Sequence, residues 1–142
     1  MPKADVLASD PDYRPSEDES FMNQQQLGYF RRKLLAWKDE ILRESRETVV
    51  HLQSETENHP DLADRATSET DRALELRTRD RQRKLISKID EALRRIDEGS
   101  YGYCEETGEP IGIARLDARP IATLSLEAQE RHERRERIHR DD

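Results

Sequence analysis

His59-Pro60-Asp61-Leu62-Ala63-Asp64 decides the fold, because long charged helical patterns run into this stretch from one side and away from it on the other. Proline disfavours helical geometry at the residue before it, so the incoming helix should end by about His59. Asp61 is placed to cap the outgoing helix, with Asp64 in its first turn, where a carboxylate complements the helix dipole. The expectation is a helical hairpin with its tip at residues 58–64 and two acids there. Local sequence explains those acids as a cap and a dipole complement; what surrounds them suggests more.

Upstream, from about Asn23, the residues Leu27, Phe30, Leu34, Trp37, Ile41 and Thr48 follow three-four spacing, with Leu35, Leu42 and Leu52 widening the stripe. This predicts a helix of about 35 residues, about 50 Å long. Phe30 and Trp37 are expected in the core. Downstream, a second helix should run from Leu62 to about Glu98, with Gly99 as its C-terminal stop. Leu85, Ile89, Ala92 and Ile96 give its lower half an apolar stripe, whereas the tip half offers mainly Ala63, Ala66, Ala73 and Leu74. The fold class is therefore mainly α: residues 23–98 form a long antiparallel coiled-coil hairpin, its base packing on a small globular domain from which it projects.

The flanks differ from the hairpin. Residues 1–22 hold Pro2, Pro11 and Pro15 among acids and small polar residues, and read as a flexible N-terminal arm tied down near Tyr13 or Phe21. Gly99, Gly102, Gly108, Gly112, Pro110 and Pro120 mark the segment that follows the hairpin. Thr107-Gly108 reads as a turn between short extended pieces, Tyr101–Glu105 and Glu109–Ile113. Ser125 is placed to cap a last helix from Leu126 to about Arg140, whose second half is rich in arginine and histidine.

With 32% hydrophobic and 40% charged residues among 142, the chain is one domain's worth with a small core, and not a multidomain enzyme. The net charge of -7 opposes free DNA or an anionic membrane as main partner. That average hides an opposition. Residues 54–75 carry Glu55, Glu57, Asp61, Asp64, Glu69, Asp71 and Glu75 against two arginines, while residues 77–95 carry eight bases against three acids. A single cysteine, Cys104, excludes an internal disulfide, and no segment approaches the roughly 20 apolar residues of a membrane span. A cytoplasmic protein is expected.

Cys104, Thr107, Ser125 and Ala128 occupy the frame C-x2-C, seventeen residues, C-x2-C, which would hold a tetrahedral zinc; only the first is cysteine. Hydroxyls are poor zinc ligands and alanine is none, so a four-thiolate site is excluded. His132 and His139 are the remaining candidates to join Cys104. Residues 99–142 thus read as a degenerate zinc-finger-like region plus a C-terminal helix, without metal. Leu124 and Leu126 are expected to pack on Ile111, Ile113 and Leu116 in its place.

Three stretches together resemble one family. Asp61-x-x-Asp64-Arg65-Ala66, the run Leu74-Glu-Leu-Arg-x-Arg-Asp-Arg-x-Arg-Lys-Leu85-Ile86, and Gly102-Tyr-Cys-Glu followed by Ile111-Gly-Ile-x-Arg115-Leu-x-Ala-Arg119-Pro120 are similar to the DksA/TraR family. The similarity runs from about Phe21 to His132. It implies a bacterial transcription factor that binds RNA polymerase directly rather than DNA, with the coiled-coil tip in the secondary channel, through which nucleotides reach the active centre. The tip residues of the family fall on Asp61, Asp64 and Ala66, and its contacts with the channel rim on Arg81 and Leu85. Cooperation with the alarmone ppGpp is implied through Leu85, Lys88 and Arg119. At a further ppGpp position the family commonly has lysine where this chain has Gln129, so Arg115, Arg131 or Arg134 would have to compensate.

Two other functions compete. A transcript-cleavage or anti-cleavage factor also inserts an acidic coiled-coil tip, and a structural coiled-coil adaptor would dimerise, although the weak heptads near the tip favour a monomer. An enzyme is disfavoured: Cys104 has no histidine-acid partner at a recognisable spacing, and no phosphate-binding glycine loop exists.

Overall fold

The computed structural model describes residues 11–57 and 62–141, with side chains for 11–47 and 66–139. Among the described residues four helices follow in order: α1 Gln24–Glu57, α2 Leu62–Glu98, α3 Ile113–Ala118 and α4 Leu126–Asp141. The protein divides into two compact units, one of residues 1–34 and 91–142, the other of residues 35–90.

Both long helices have identifiable ends in the first unit. Asn23 Oδ1 accepts the Gln26 amide at 2.9 Å and caps α1. Gln26 then reaches back, its Oε1 accepting the Met22 amide at 2.7 Å. This is the reciprocal logic of a capping box, shifted by one residue. At the other end, Gly99 adopts φ 85°, the Ser100 amide bonds the Arg95 carbonyl, and the Gly99 amide bonds that of Ile96. That left-handed Schellman stop is the one glycine predicts.

The helices run antiparallel in each unit. Arg31 pairs with Asp97 in the first unit; Lys38 pairs with Asp90 and Gln82 donates to Glu44 in the second. Partner numbers fall on α2 as they rise on α1. In the second unit Ile41 and Ile89 are buried, Trp37 and Leu85 are half-buried, and Leu35 and Leu42 are exposed, so the α1 stripe is narrower than its sequence suggests. Thr48 and Leu52 lie outside the described side chains. Toward the tip α2 turns polar: Glu75, Arg79 and Gln82 take the inward spacing of four and three residues, while Ala66, Ala73 and Leu74 are exposed.

The rest of the first unit closes around Phe30, Leu34, Ala92, Ile96 and Tyr101. Tyr101 lies with its ring 5.6 Å from that of Phe30, and its hydroxyl donates to the Pro120 carbonyl. The turn at Thr107-Gly108 forms, but the extended pieces expected on either side shrink to a single bridge, Tyr103 with Pro110. Pro110 has no N–H to continue a ladder, and Gly112 at φ 107° redirects the chain into α3. Residue 113 therefore begins a helix instead of ending a strand. Asp117 of α3 accepts the Tyr29 hydroxyl at 2.6 Å and the Lys33 ammonium at 2.7 Å, which ties α3 to α1. Lys33 and Tyr29 hold the Asp117 carboxyl below the usual carboxylate range. Ser125 caps α4 as predicted, Oγ accepting the Ala128 amide at 3.2 Å. Leu126, expected in the core, is 58% exposed, because the first turn of α4 buries Ala128 instead.

The polar seam of the second unit yields a test. Arg79 Nε and Gln82 Oε1 are buried with no hydrogen-bond partner among the described residues. An unsatisfied buried polar atom costs on the order of 1–3 kcal/mol. Arg79→Leu combined with Gln82→Leu should therefore stabilise residues 35–90 by about 1–2 kcal/mol. Slower amide exchange in that part of α2 is the expected readout; faster exchange would contradict it.

Candidate functional site

The sequence-predicted residues fall into three groups. At the tip, Asp61 lies outside the described residues, and Asp64 is in the first turn of α2, its side chain outside the description. Ala66 is exposed and lines, with Glu69, Thr70, Ala73, Leu74 and Arg77, a cavity of about 520 Å³ along α2.

On the same helix Arg81, Leu85 and Lys88 are spaced by four and three residues, which puts them on one stripe. Arg81 and Lys88 are exposed and make no hydrogen bond or ion pair among the described residues. Leu85 between them is half-buried. The arrangement is an apolar contact flanked by two cations, the first a planar fork and the second a point charge.

Arg119 belongs to the other unit, at the C-cap of α3, where its amide bonds the Arg115 carbonyl. Its side chain is exposed and without an ion pair among the described residues. Arg115 and Arg119 border one cavity of about 490 Å³, whose apolar lining comes from Ile111, Ala114, Ala118 and Leu126. Arg115 Nε donates to the Leu124 carbonyl at 3.0 Å, which fixes the guanidinium there. Gln129 is outside that lining and donates to Glu133 along α4. Arg131 is engaged with Glu106 at 3.7 Å and Arg134 is exposed, so of the three compensating arginines only Arg115 shares a cavity with Arg119. Sequence spacing could have shown this, since residues 115 and 119 are four apart across a short helix, but α3 was not legible as a helix.

The metal frame comes out with other roles. Thr107 Oγ1 accepts the Glu109 amide, Ser125 Oγ caps α4, and the Ala128 methyl is fully buried. His132 Nε2 lies 3.5 Å from Glu106. Among the described residues no three His, Cys, Asp or Glu side chains converge as a metal set, so neither His132 nor His139 completes one with Cys104. Cys104 is not isolated. Burial alone would push its thiol up, yet the Ser125 amide, the Thr107 hydroxyl and amide and the Glu106 amide bring it down to about 6.

Two family models match: the DksA N-terminal domain, over residues 26–96, and a prokaryotic dksA/traR C4-type zinc finger, over residues 99–134. The RNA polymerase-binding transcription factor DksA of Caulobacter vibrioides is 80% identical over 142 residues, all of both chains. That of Escherichia coli K12 is 44% identical over 132 residues, 93% of this chain and 87% of its own. Among solved structures, transcription factor DksA2 from Pseudomonas aeruginosa superposes with a TM-score of 0.78 at 42% identity, covering 94% of this chain and 98% of that one.

The lowered Cys104 thiol predicts a pH dependence. Its folded pKa of about 6 is below the unfolded thiol value of about 8.5, so its contribution is fully present above about 8.5 and is lost as pH falls through about 6. The urea midpoint should decline from pH 9 to pH 6, and Cys104→Ser should remove that part of the slope. Parallel pH profiles for the two proteins would show that the thiolate contributes nothing.

Proposed function

The chain belongs to the DksA family, and from that premise we propose that it binds RNA polymerase and regulates transcription without catalysis of its own. The observation that carries the reading is identity of 80% along the full chain with a protein named for that activity. The tip enters the secondary channel and sets Asp61, Asp64 and Ala66 near the active centre, while Arg81 and Leu85 meet the channel rim. Two carboxylates on a slender helical pair suit a cavity that holds divalent cations. A stripe on which the exposed Arg81 and Lys88 flank the half-buried Leu85 supports the rim assignment.

Co-regulation by ppGpp is the second part of the proposal. Lys88 and Arg119, both exposed and without ion pairs among the described residues, supply the cations, and Leu85 an apolar contact. Gln129 adds no charge where the family commonly has lysine; Arg115, on the same cavity as Arg119, is the compensating cation the geometry favours. The protein acts as a cytoplasmic monomer on polymerase, with no specific DNA contact of its own.

In vitro transcription from a ribosomal-RNA promoter, with and without the protein and ppGpp, tests both parts. Asp61→Asn with Asp64→Asn should abolish the effect on transcription and leave polymerase binding within about twofold, because docking resides in the stem. Full activity of the double variant would overturn the tip assignment, and faster cleavage of backtracked RNA by the unaltered protein would favour a cleavage factor. Lys88→Ala or Arg119→Ala should weaken the ppGpp response by on the order of 1.5–3 kcal/mol while sparing the response to protein alone. Equal losses with and without ppGpp would reassign these residues to docking or folding.

A further inference from the structure

The family model over residues 99–134 describes a C4-type zinc finger, and the donors present here do not fit one. We propose that the turn at Tyr101–Tyr103 in this module is held without metal by residues 13–22, which form a strap clamped by Gln26 and seated on it. Independently of how the protein acts on polymerase, this assigns the N-terminal segment a bracing task that a C4-type zinc finger leaves to its metal.

Beyond Cys104 no position of the frame offers a thiolate, and both hydroxyl oxygens are in use. The Thr107 hydroxyl holds the turn by accepting the Glu109 amide, Ser125 caps α4, and Ala128 fills the core. A metal bound to either oxygen would compete with an amide already satisfied there. Cys104 accepts from Thr107 and Ser125, one on each half of the frame, and the Glu105 amide bonds the Thr123 carbonyl, so the halves meet through hydrogen bonds and the turn at Tyr101–Tyr103 is left to be held from outside.

The strap is built in detail. The Glu19 carboxylate gathers the Tyr13 hydroxyl at 2.8 Å, the Ser16 amide at 2.9 Å and the Asn23 side-chain amide at 3.4 Å. Gln26 is fully buried and uses both ends of its amide, accepting from the Met22 N–H and donating to the Ser16 carbonyl. That bond holds Met22 at φ 53°, a left-handed conformation that side chains rarely adopt. The result is a close approach: a Cβ on Gly102 would lie 3.0 Å from Met22 Cγ and 3.3 Å from the Phe21 ring. Phe21 meets Tyr103 edge to face, ring centres 5.4 Å apart, and Tyr13 meets Tyr29 of α1 in the same way. The strap thus grips the turn on one side and α1 on the other, all within one unit.

The test uses the full chain purified without added metal. Elemental analysis should find zinc well below one per chain, and a chelator should leave the melting temperature unmoved. Phe21→Ala should lower that temperature by about 5 °C or more. It should also speed exchange of the Cys104 and Ile111 amides, which bond Glu109 and Gly102 across the turn. Stoichiometric zinc with unfolding on chelation would overturn the proposal. So would unchanged protection of those two amides in Phe21→Ala. Should that variant fail to fold, native-state exchange of the unaltered protein decides: the Met22, Cys104 and Ile111 amides are expected to open together, and an earlier opening of Met22 that leaves the turn protected would overturn it.

Discussion

Apolar side chains are scarce in this protein, 32% of residues against 40% charged, and where they are spent decides where it is rigid. Most buried apolar residues among those described belong to one unit: Phe30, Leu34, Ala92, Ile96, Tyr101, Ile111, Ile113, Leu116, Ile121 and Ala128 are all there. Among the described side chains the other unit buries Ile41 and Ile89 and then presents a polar seam. Burial at about 25 cal/mol per Å² is the dominant favourable term in folding, so the described part of the first unit gains more from it than that of the second. The long helices gain what they have through antiparallel pairs such as Lys38 with Asp90, which are exposed and individually weak. Under the proposed insertion into polymerase this is tolerable, because the partner would supply the missing contacts on docking.

Local signals made most of the fold legible. Gly99 ends α2 because a left-handed φ acts within one turn, and Ser125 caps α4 for the same local reason. What escaped the sequence depends on pairs distant along the chain. Gln26 reads as an ordinary helix residue until Ser16 and Met22 are seen to share it. Asp117 reads as a surface acid until Tyr29 and Lys33 converge on it across more than eighty residues. At six residues α3 is too short for periodicity to declare, and its glycine N-cap gives no side-chain signal.

The same division runs through the candidate site. Arg81, Leu85 and Lys88 were legible as a group because helical spacing alone puts them on one stripe. Arg115 beside Arg119 needed the fold, since nothing local says that the chain after Gly112 turns helical. The tip acids were read from cap chemistry and family resemblance together, and Asp61 falls outside the described residues.

Under the proposed ppGpp reading, Gln129 shows why residue type alone misjudges a site. A lysine there would offer one point charge on a flexible stem. Here the Gln129 amide is directed along α4 to Glu133, away from the cavity that Arg115 and Arg119 share. Arg115 has one of its donors committed to the Leu124 carbonyl, which limits its motion and leaves the rest of the guanidinium for a ligand. A fixed fork loses less entropy per hydrogen bond than a free ammonium, so the exchange of a mobile charge for a tethered one favours geometry over long-range attraction.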